Sequence, residues 1–144
     1  MVSLKRSLTI IVIVLSVAIG LIALNCNRNP TESGIDEVLA GNWVWVYSFG
    51  GFGGQYIYPD SVGYDKSVSF GVNSMYTEMI NDSTACHGRF RIEQKEVWNE
   101  LAYVVIIDNY EFELIIERVD TDTLVLGEYC DDCYAHTYIR LHPI

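Results

Sequence analysis

From Gly41 onward the chain alternates apolar and polar positions with a period of two, in short runs broken by turn residues. Eight such runs predict strands over about 42–49, 65–71, 74–81, 85–92, 98–107, 110–118, 123–130 and 133–141. Between them lie Gly71–Asn73, Asn81–Ser83, Glu93–Glu96, Asp108–Asn109, Asp120–Asp122 and Asp131–Asp132, mostly residues that favour turn backbone. Only the first gap exceeds a hairpin, and no helical period is long enough for a parallel crossover, so the pattern reads as an antiparallel meander. Ahead of it, residues 35–41 predict one or two helical turns leading into the first strand.

The alternation is clearest where Tyr110, Phe112, Leu114 and Ile116 face one way and Glu111, Glu113 and Glu117 the other, with Ile115 interrupting the polar side. Cys86, Gly88, Phe90 and Ile92 alternate in the same way with His87, Arg89 and Arg91. Strands with one apolar and one wet face, in meander order, leave two open edges unless the sheet closes. The expected fold is therefore all-β, an eight-stranded antiparallel up-and-down barrel preceded by an N-terminal signal or anchor.

That leading segment carries Lys5 and Arg6 before an apolar run from Leu8 to Leu24, broken only by Ser16 and Gly20. The run is longer than an ordinary signal core and just short of a comfortable membrane span. Residues 1–25 are read as signal peptide or membrane anchor, 26–37 as a polar flexible tether with Pro30 and Gly34, and 38–144 as the barrel domain. On either reading the domain is exported and membrane-anchored in a cell envelope. Because Lys5 and Arg6 lie in the leading segment, its removal takes the formal charge from −10 to −12. An acidic balance of this size excludes nucleic acid as a partner and disfavours anionic headgroups.

Two sets of residues resemble known families. "IALNC" is similar to the lipobox of bacterial lipoproteins, although Asn25 and Ala23 stand where a small residue and a leucine are usual; the resemblance implies cleavage before Cys26 and a lipid on it, against an uncleaved span. Gly41-Asn42-Trp43 resembles the Gly-x-Trp signature opening the first strand of lipocalins, and "YIRL" places Arg140 where that family packs a basic residue over the tryptophan. The order "GNWVWV", "GG", "YPDSVGY", "TLVLGEYCDDCYAHTYIR" is similar to the short lipocalin-like domains of exported Bacteroidetes-type lipoproteins, over about residues 38–142. The chain lacks the Thr-Asp-Tyr turn of classical lipocalins and is short for one. The resemblance implies a barrel floor at Trp43 and Arg140 and a tethered barrel that binds or carries a small, hydrophobic ligand at its rim. The alternative is a barrel filled by its own side chains, serving as a protein-interaction or structural module of the envelope.

Strand alternation puts Trp45 and Tyr47 on the face of Trp43, and with Phe70, Phe90, Tyr103, Tyr110 and Phe112 they are the ligand-lining candidates. The glycine-rich loop after the first strand offers Phe52, Tyr56 and Tyr58 as a lid over a guest, or as aromatics packed permanently over the mouth. No Gly-Lys-Ser/Thr follows these glycines, which excludes a phosphate loop. Cys86, Cys130 and Cys133 are disulfide candidates, either as a local Cys130–Cys133 bridge or as one from Cys86 across the mouth. Zinc held by Cys130, Cys133, His136 and Cys86 competes with that oxidation, and the reading assigns no metal and no cofactor. His87, His136 and His142 have no Gly-x-Ser-x-Gly partner, so no catalytic residue is assigned and the chain is not read as an enzyme.

Overall fold

The computed structural model describes residues 32–130 and 132–142; the expected signal segment and Cys26 lie outside the described residues. A helix α1 (Glu32–Leu39) leads into β1 (Gly41–Gly50), then β2 (Gln55–Ile57), a one-turn helix α2 (Pro59–Val62), β3 (Lys66–Phe70), β4 (Met75–Ile80), β5 (Ser83–Val97), β6 (Glu100–Ile107), β7 (Leu114–Val119), β8 (Thr123–Glu128) and β9 (Tyr134–Arg140). From β3 to β9 each strand pairs antiparallel with the next, and β1 pairs with β9, which closes the sheet into an eight-stranded barrel. On its other side β1 is shared: Gly41–Val44 pair with β3, and Ser48–Gly50 pair with β2. The barrel therefore has no free edge along most of its height.

Several boundaries differ from the sequence pattern, each for a physical reason. The turn expected at Glu93–Glu96 is strand, because β5 runs on to Val97 and the hairpin reverses at Trp98 and Asn99, both in the left-handed region at φ 49° and 67°. The strand expected over 110–118 begins at Leu114; Tyr110–Glu113 form the connection from β6. Helix α1 starts at Glu32, inside the segment read as tether. The long loop after β1 folds back as β2, a strand the sequence pattern omits.

The interior is a single cluster in which Trp43, Trp45, Val68, Phe70, Tyr76, Val105, Ile107, Leu114, Leu124, Leu126 and Tyr138 are buried, with Cys86, Phe90 and Ile92 packed against it. A second small cluster, Val97, Val104 and Ile115, lies on the other face of β5, β6 and β7. It explains why Ile115 interrupts a polar face and why β6 reads as an unbroken apolar run: Val104 and Val105 are buried on opposite faces.

One end of the barrel is sealed around Trp43. Its ring is fully buried, its indole N–H donates to the Leu39 carbonyl at 2.8 Å, and the Arg140 guanidinium lies over the ring with Cζ 4.0 Å from its centroid. Arg140 also donates to the carbonyls of Ala40 (2.7 Å), Val38 and Thr121. These are orphan acceptors at the end of α1 and in the β7–β8 turn, so two side chains cap the helix and stitch it to the barrel. At the other end the backbone itself makes the close contact. Gly50 has φ 153°, and a Cβ there would sit 2.2 Å from the Cys133 carbonyl oxygen, so only glycine lets β1 approach the β8–β9 turn.

Two predictions follow from these ends. Arg140→Ala should cost about 2 kcal/mol, the scale of hydrogen bonds to a charged group, with a red shift of Trp43 emission, and Arg140→Lys should recover less than half because an ammonium cannot reproduce the fork; urea titration followed by fluorescence checks both. Gly50→Ala should lower stability by about 1–3 kcal/mol through backbone strain and the clash, whereas Gly53→Ala, where the nearest non-neighbouring atoms are 3.7 Å away in the Gln55 side chain, should be neutral or slightly stabilising.

Candidate functional site

The barrel interior is not wholly apolar. On β3, Lys66, Val68 and Phe70 share one face, and on β4 so do Tyr76, Glu78 and Ile80, which carries a lysine and a glutamate into the core. Lys66 Nζ lies 3.2 Å from Glu78 Oε2 with both side chains nearly buried, and the hydroxyls of Tyr76 and Tyr110 donate to the same carboxylate at 3.2 and 3.4 Å. An ion pair taken out of water survives only when its remaining lone pairs are satisfied, and the two phenols do this. The sequence signal for Lys66 and Glu78 is their parity with Val68, Phe70 and Tyr76, a weak one because charged residues are rare on an apolar face.

A second polar chain starts at Trp45. After Trp45 a β-bulge at Val46 shifts the pairing with β9, so Trp45 opposes Tyr138 while Tyr47 opposes Thr137. The extra residue reverses the alternation: Ser48, not Tyr47, turns inward and is 3% exposed. The indole N–H of Trp45 donates to Ser48 Oγ at 2.9 Å, Ser48 Oγ lies 2.6 Å from His136 Nδ1, and His136 Nε2 lies 3.2 Å from Glu128 Oε1. Because an indole N–H can only donate, Ser48 Oγ accepts it, which leaves the Ser48 hydroxyl hydrogen to be donated to His136 Nδ1. His136 is then the Nε2–H tautomer and donates to Glu128. The order acid, imidazole, hydroxyl is that of a hydrolytic relay, here with the hydroxyl buried inside the barrel, and its hydrogen bonds fix the position of the Glu128 carboxylate.

Glu128 receives the His136 N–H and the Tyr134 backbone N–H, and this hydrogen bonding, led by His136, holds its carboxyl below the ordinary glutamate range. Burial, reinforced by Glu78, pushes the phenols of Tyr76 and Tyr110 well above the ordinary tyrosine value, and burial does the same for Tyr138. Burial also raises the Cys86 thiol, which pairs in register with Glu78.

The remaining candidates separate into interior and surface. Trp45 is buried and stacks on Tyr64 at 5.7 Å; Phe70 packs on Tyr76 and edge-on to Phe90 at 5.1 Å. Tyr110 reaches the core from a loop rather than a strand. Tyr103 is half-buried on β6, outside the core cluster. Phe112 is exposed, because the segment read as its strand is the β6–β7 connection. Tyr47 is likewise corrected: its ring packs on Tyr56 (5.6 Å) and Tyr58 (6.0 Å), and Phe49 packs on Tyr56 at 4.7 Å. The lid expectation changes with it. Tyr56 and Tyr58 lie against β1 on the side opposite Ile57, which is the residue of β2 that joins the core, and Phe52 is 97% exposed at the loop tip. Cys130 and Cys133 form a disulfide, with Cα atoms 5.5 Å apart, and Cys86 is free. The bridge from Cys86 across the mouth is therefore not made.

The buried phenols set an alkaline limit. A phenol whose folded pKa is raised leaves stability intact below the unfolded value, and stability falls as pH rises past about 10, where the unfolded chain ionises first. Phenolate absorbance should thus appear in two stages, the exposed tyrosines first and Tyr76, Tyr110 and Tyr138 only on unfolding. Tyr76→Phe should make the alkaline loss of stability shallower. Comparison of the chain with protein-family models, curated proteins and solved structures finds no match.

Proposed function

We propose that this chain is an envelope-tethered interaction module, a barrel filled by its own side chains that recognises a protein partner on the outer face of β1 and β2. The observation that carries this is the direction of its aromatic side chains. Trp43, Phe70, Tyr76 and Tyr138 occupy the interior at 2% exposure or less, and among the described residues every buried side-chain polar atom has a hydrogen-bond partner. Among the described residues a hydrogen-bonded interior lined by these rings leaves a guest no unsatisfied buried side-chain group to recognise it. In contrast, Phe49, Tyr56 and Tyr58 are 43%, 58% and 48% exposed around Tyr47, and Phe52 projects beside them.

Clustered tyrosine and phenylalanine rings are the side chains that dominate protein interfaces, supplying large area at small conformational cost. Tyrosine faces also attract cations. Together with the chain's net negative charge, they favour a partner segment carrying arginine or lysine. The lipocalin-like resemblance and the lipid-bearing Cys26 belong to this proposal as its tether and scaffold, with the interior ligand replaced by an external one.

The test is a photo-crosslinker at position 52 of the full chain in native membranes. The expected result is a discrete crosslinked protein that disappears in Tyr56→Ala,Tyr58→Ala and persists in Trp98→Ala, an exposed aromatic at another site. Native mass spectrometry of the same preparation showing a reproducible small-molecule adduct released on activation would overturn the reading in favour of a carrier.

A further inference from the structure

The β8–β9 turn gathers three metal-ligating groups. The sulfurs of Cys130 and Cys133, joined in the disulfide, and a carboxylate oxygen of Glu128 all lie within 4.8 Å of one another. Once the disulfide is reduced, two thiolates of one turn and that oxygen can take three corners of a tetrahedron around an ion with bonds of about 2.0–2.3 Å. The alternative ligand set considered from sequence included Cys86, but that thiol packs against the barrel core. Glu128, which no cysteine or histidine spacing reveals, takes its place. The carboxylate is pre-oriented: Tyr134 N–H and His136 Nε2 hold it, and His136 is itself held through Ser48 by Trp45. A ligand fixed by an outer shell of hydrogen bonds is the usual mark of a metal site. The turn also opens on a concavity of about 240 Å³ lined by Glu128, Cys130, Cys133, Glu117 and Trp98, which leaves room for water as a fourth ligand.

The disulfide is poorly placed to act as a staple. Cys130 and Cys133 are three residues apart, and cross-linking so short a loop removes little freedom from the unfolded chain. The hairpin they close is already paired at Gly127 and Ala135.

We propose that Cys130, Cys133 and Glu128 form a redox-gated site for a thiolate-preferring divalent cation of the Zn²⁺ type. In the oxidised chain the S–S bond occupies both sulfurs and the site is closed. A thiol reductant opens it: two RSH become RSSR, and their two electrons and two protons convert the disulfide into two thiols. The cation then displaces both thiol protons, forming two metal–sulfur bonds and one metal–oxygen bond, so each ion bound releases two protons. Two thiolates select against Mg²⁺ and Ca²⁺.

The experiment uses the full chain in detergent carrying Cys26→Ser and Cys86→Ser, so that Cys130 and Cys133 are its only cysteines. Co²⁺ is added before and after anaerobic reduction. The expected result is no thiolate-to-cobalt charge transfer in the oxidised chain and, after reduction, a charge-transfer band with tetrahedral visible bands saturating at one ion per chain and abolished by Zn²⁺. Glu128→Gln and the outer-shell change His136→Gln should each weaken the ion by about tenfold or more, with thermal melting of the oxidised forms confirming that they fold. A reduced chain that gives no charge-transfer band overturns the proposal. So does an affinity unchanged in folded Glu128→Gln, which would make the turn a bare dithiol.

Discussion

Closure of β1 against β9 is the constraint on which the rest of the structure depends. An eight-stranded meander has two edges, and here the first and last strands satisfy each other over Trp43–Gly50 and Tyr134–Arg140. Arg140, at the end of the last strand, lies over Trp43 near the start of the first and takes the carbonyls that α1 leaves open. One side chain thus joins the two ends of the domain, caps the helix and covers the indole. At the opposite end Gly50 lets β1 meet Cys133 at backbone distance.

A single extra residue in that closing strand divides the aromatics between core and surface. Without the bulge at Val46, Tyr47 and Phe49 would point with Trp45 into the barrel, on the side of Tyr138. With it, the small Ser48 turns inward and the large rings turn out. The bulge therefore supplies both the exposed aromatic platform and the hydroxyl that links Trp45 to His136. The interior hydrogen bonds and the exterior rings share one backbone irregularity.

The interior polar groups are divided by the same economy of space. Lys66, Glu78 and the phenols of Tyr76 and Tyr110 form a compensated cluster under the β3–β4 side, in which the partners of each charge offset its desolvation. The Trp45, Ser48, His136 and Glu128 chain instead runs toward the rim and ends beside the cysteine turn. A buried network that terminates at a surface pair of sulfurs converts rigidity of the core into a fixed position for one carboxylate. One network is thus closed on itself and the other has an open end at the β8–β9 turn.

Period-two alternation and turn residues by themselves determined the strand class, the antiparallel order and the need for closure, because side-chain direction along a strand depends only on local backbone. They also placed Trp43, Trp45, Phe70 and Phe90 on inward faces. What they missed arises from contacts between residues far apart in sequence. The bulge in β1 depends on β9; the continuation of β5 through Glu93–Glu96 depends on pairing with β6; and the charged face of Lys66 and Glu78 is satisfied by the pairing of β3 with β4 and by Tyr76, with Tyr110 added from a distant loop. The cysteine pairing was among the sequence alternatives, but only the fold, by joining Cys130 to Cys133 at the β8–β9 turn and packing Cys86 against the core, decided it. Local pattern specifies which face a residue has; the closed barrel decides what that face meets.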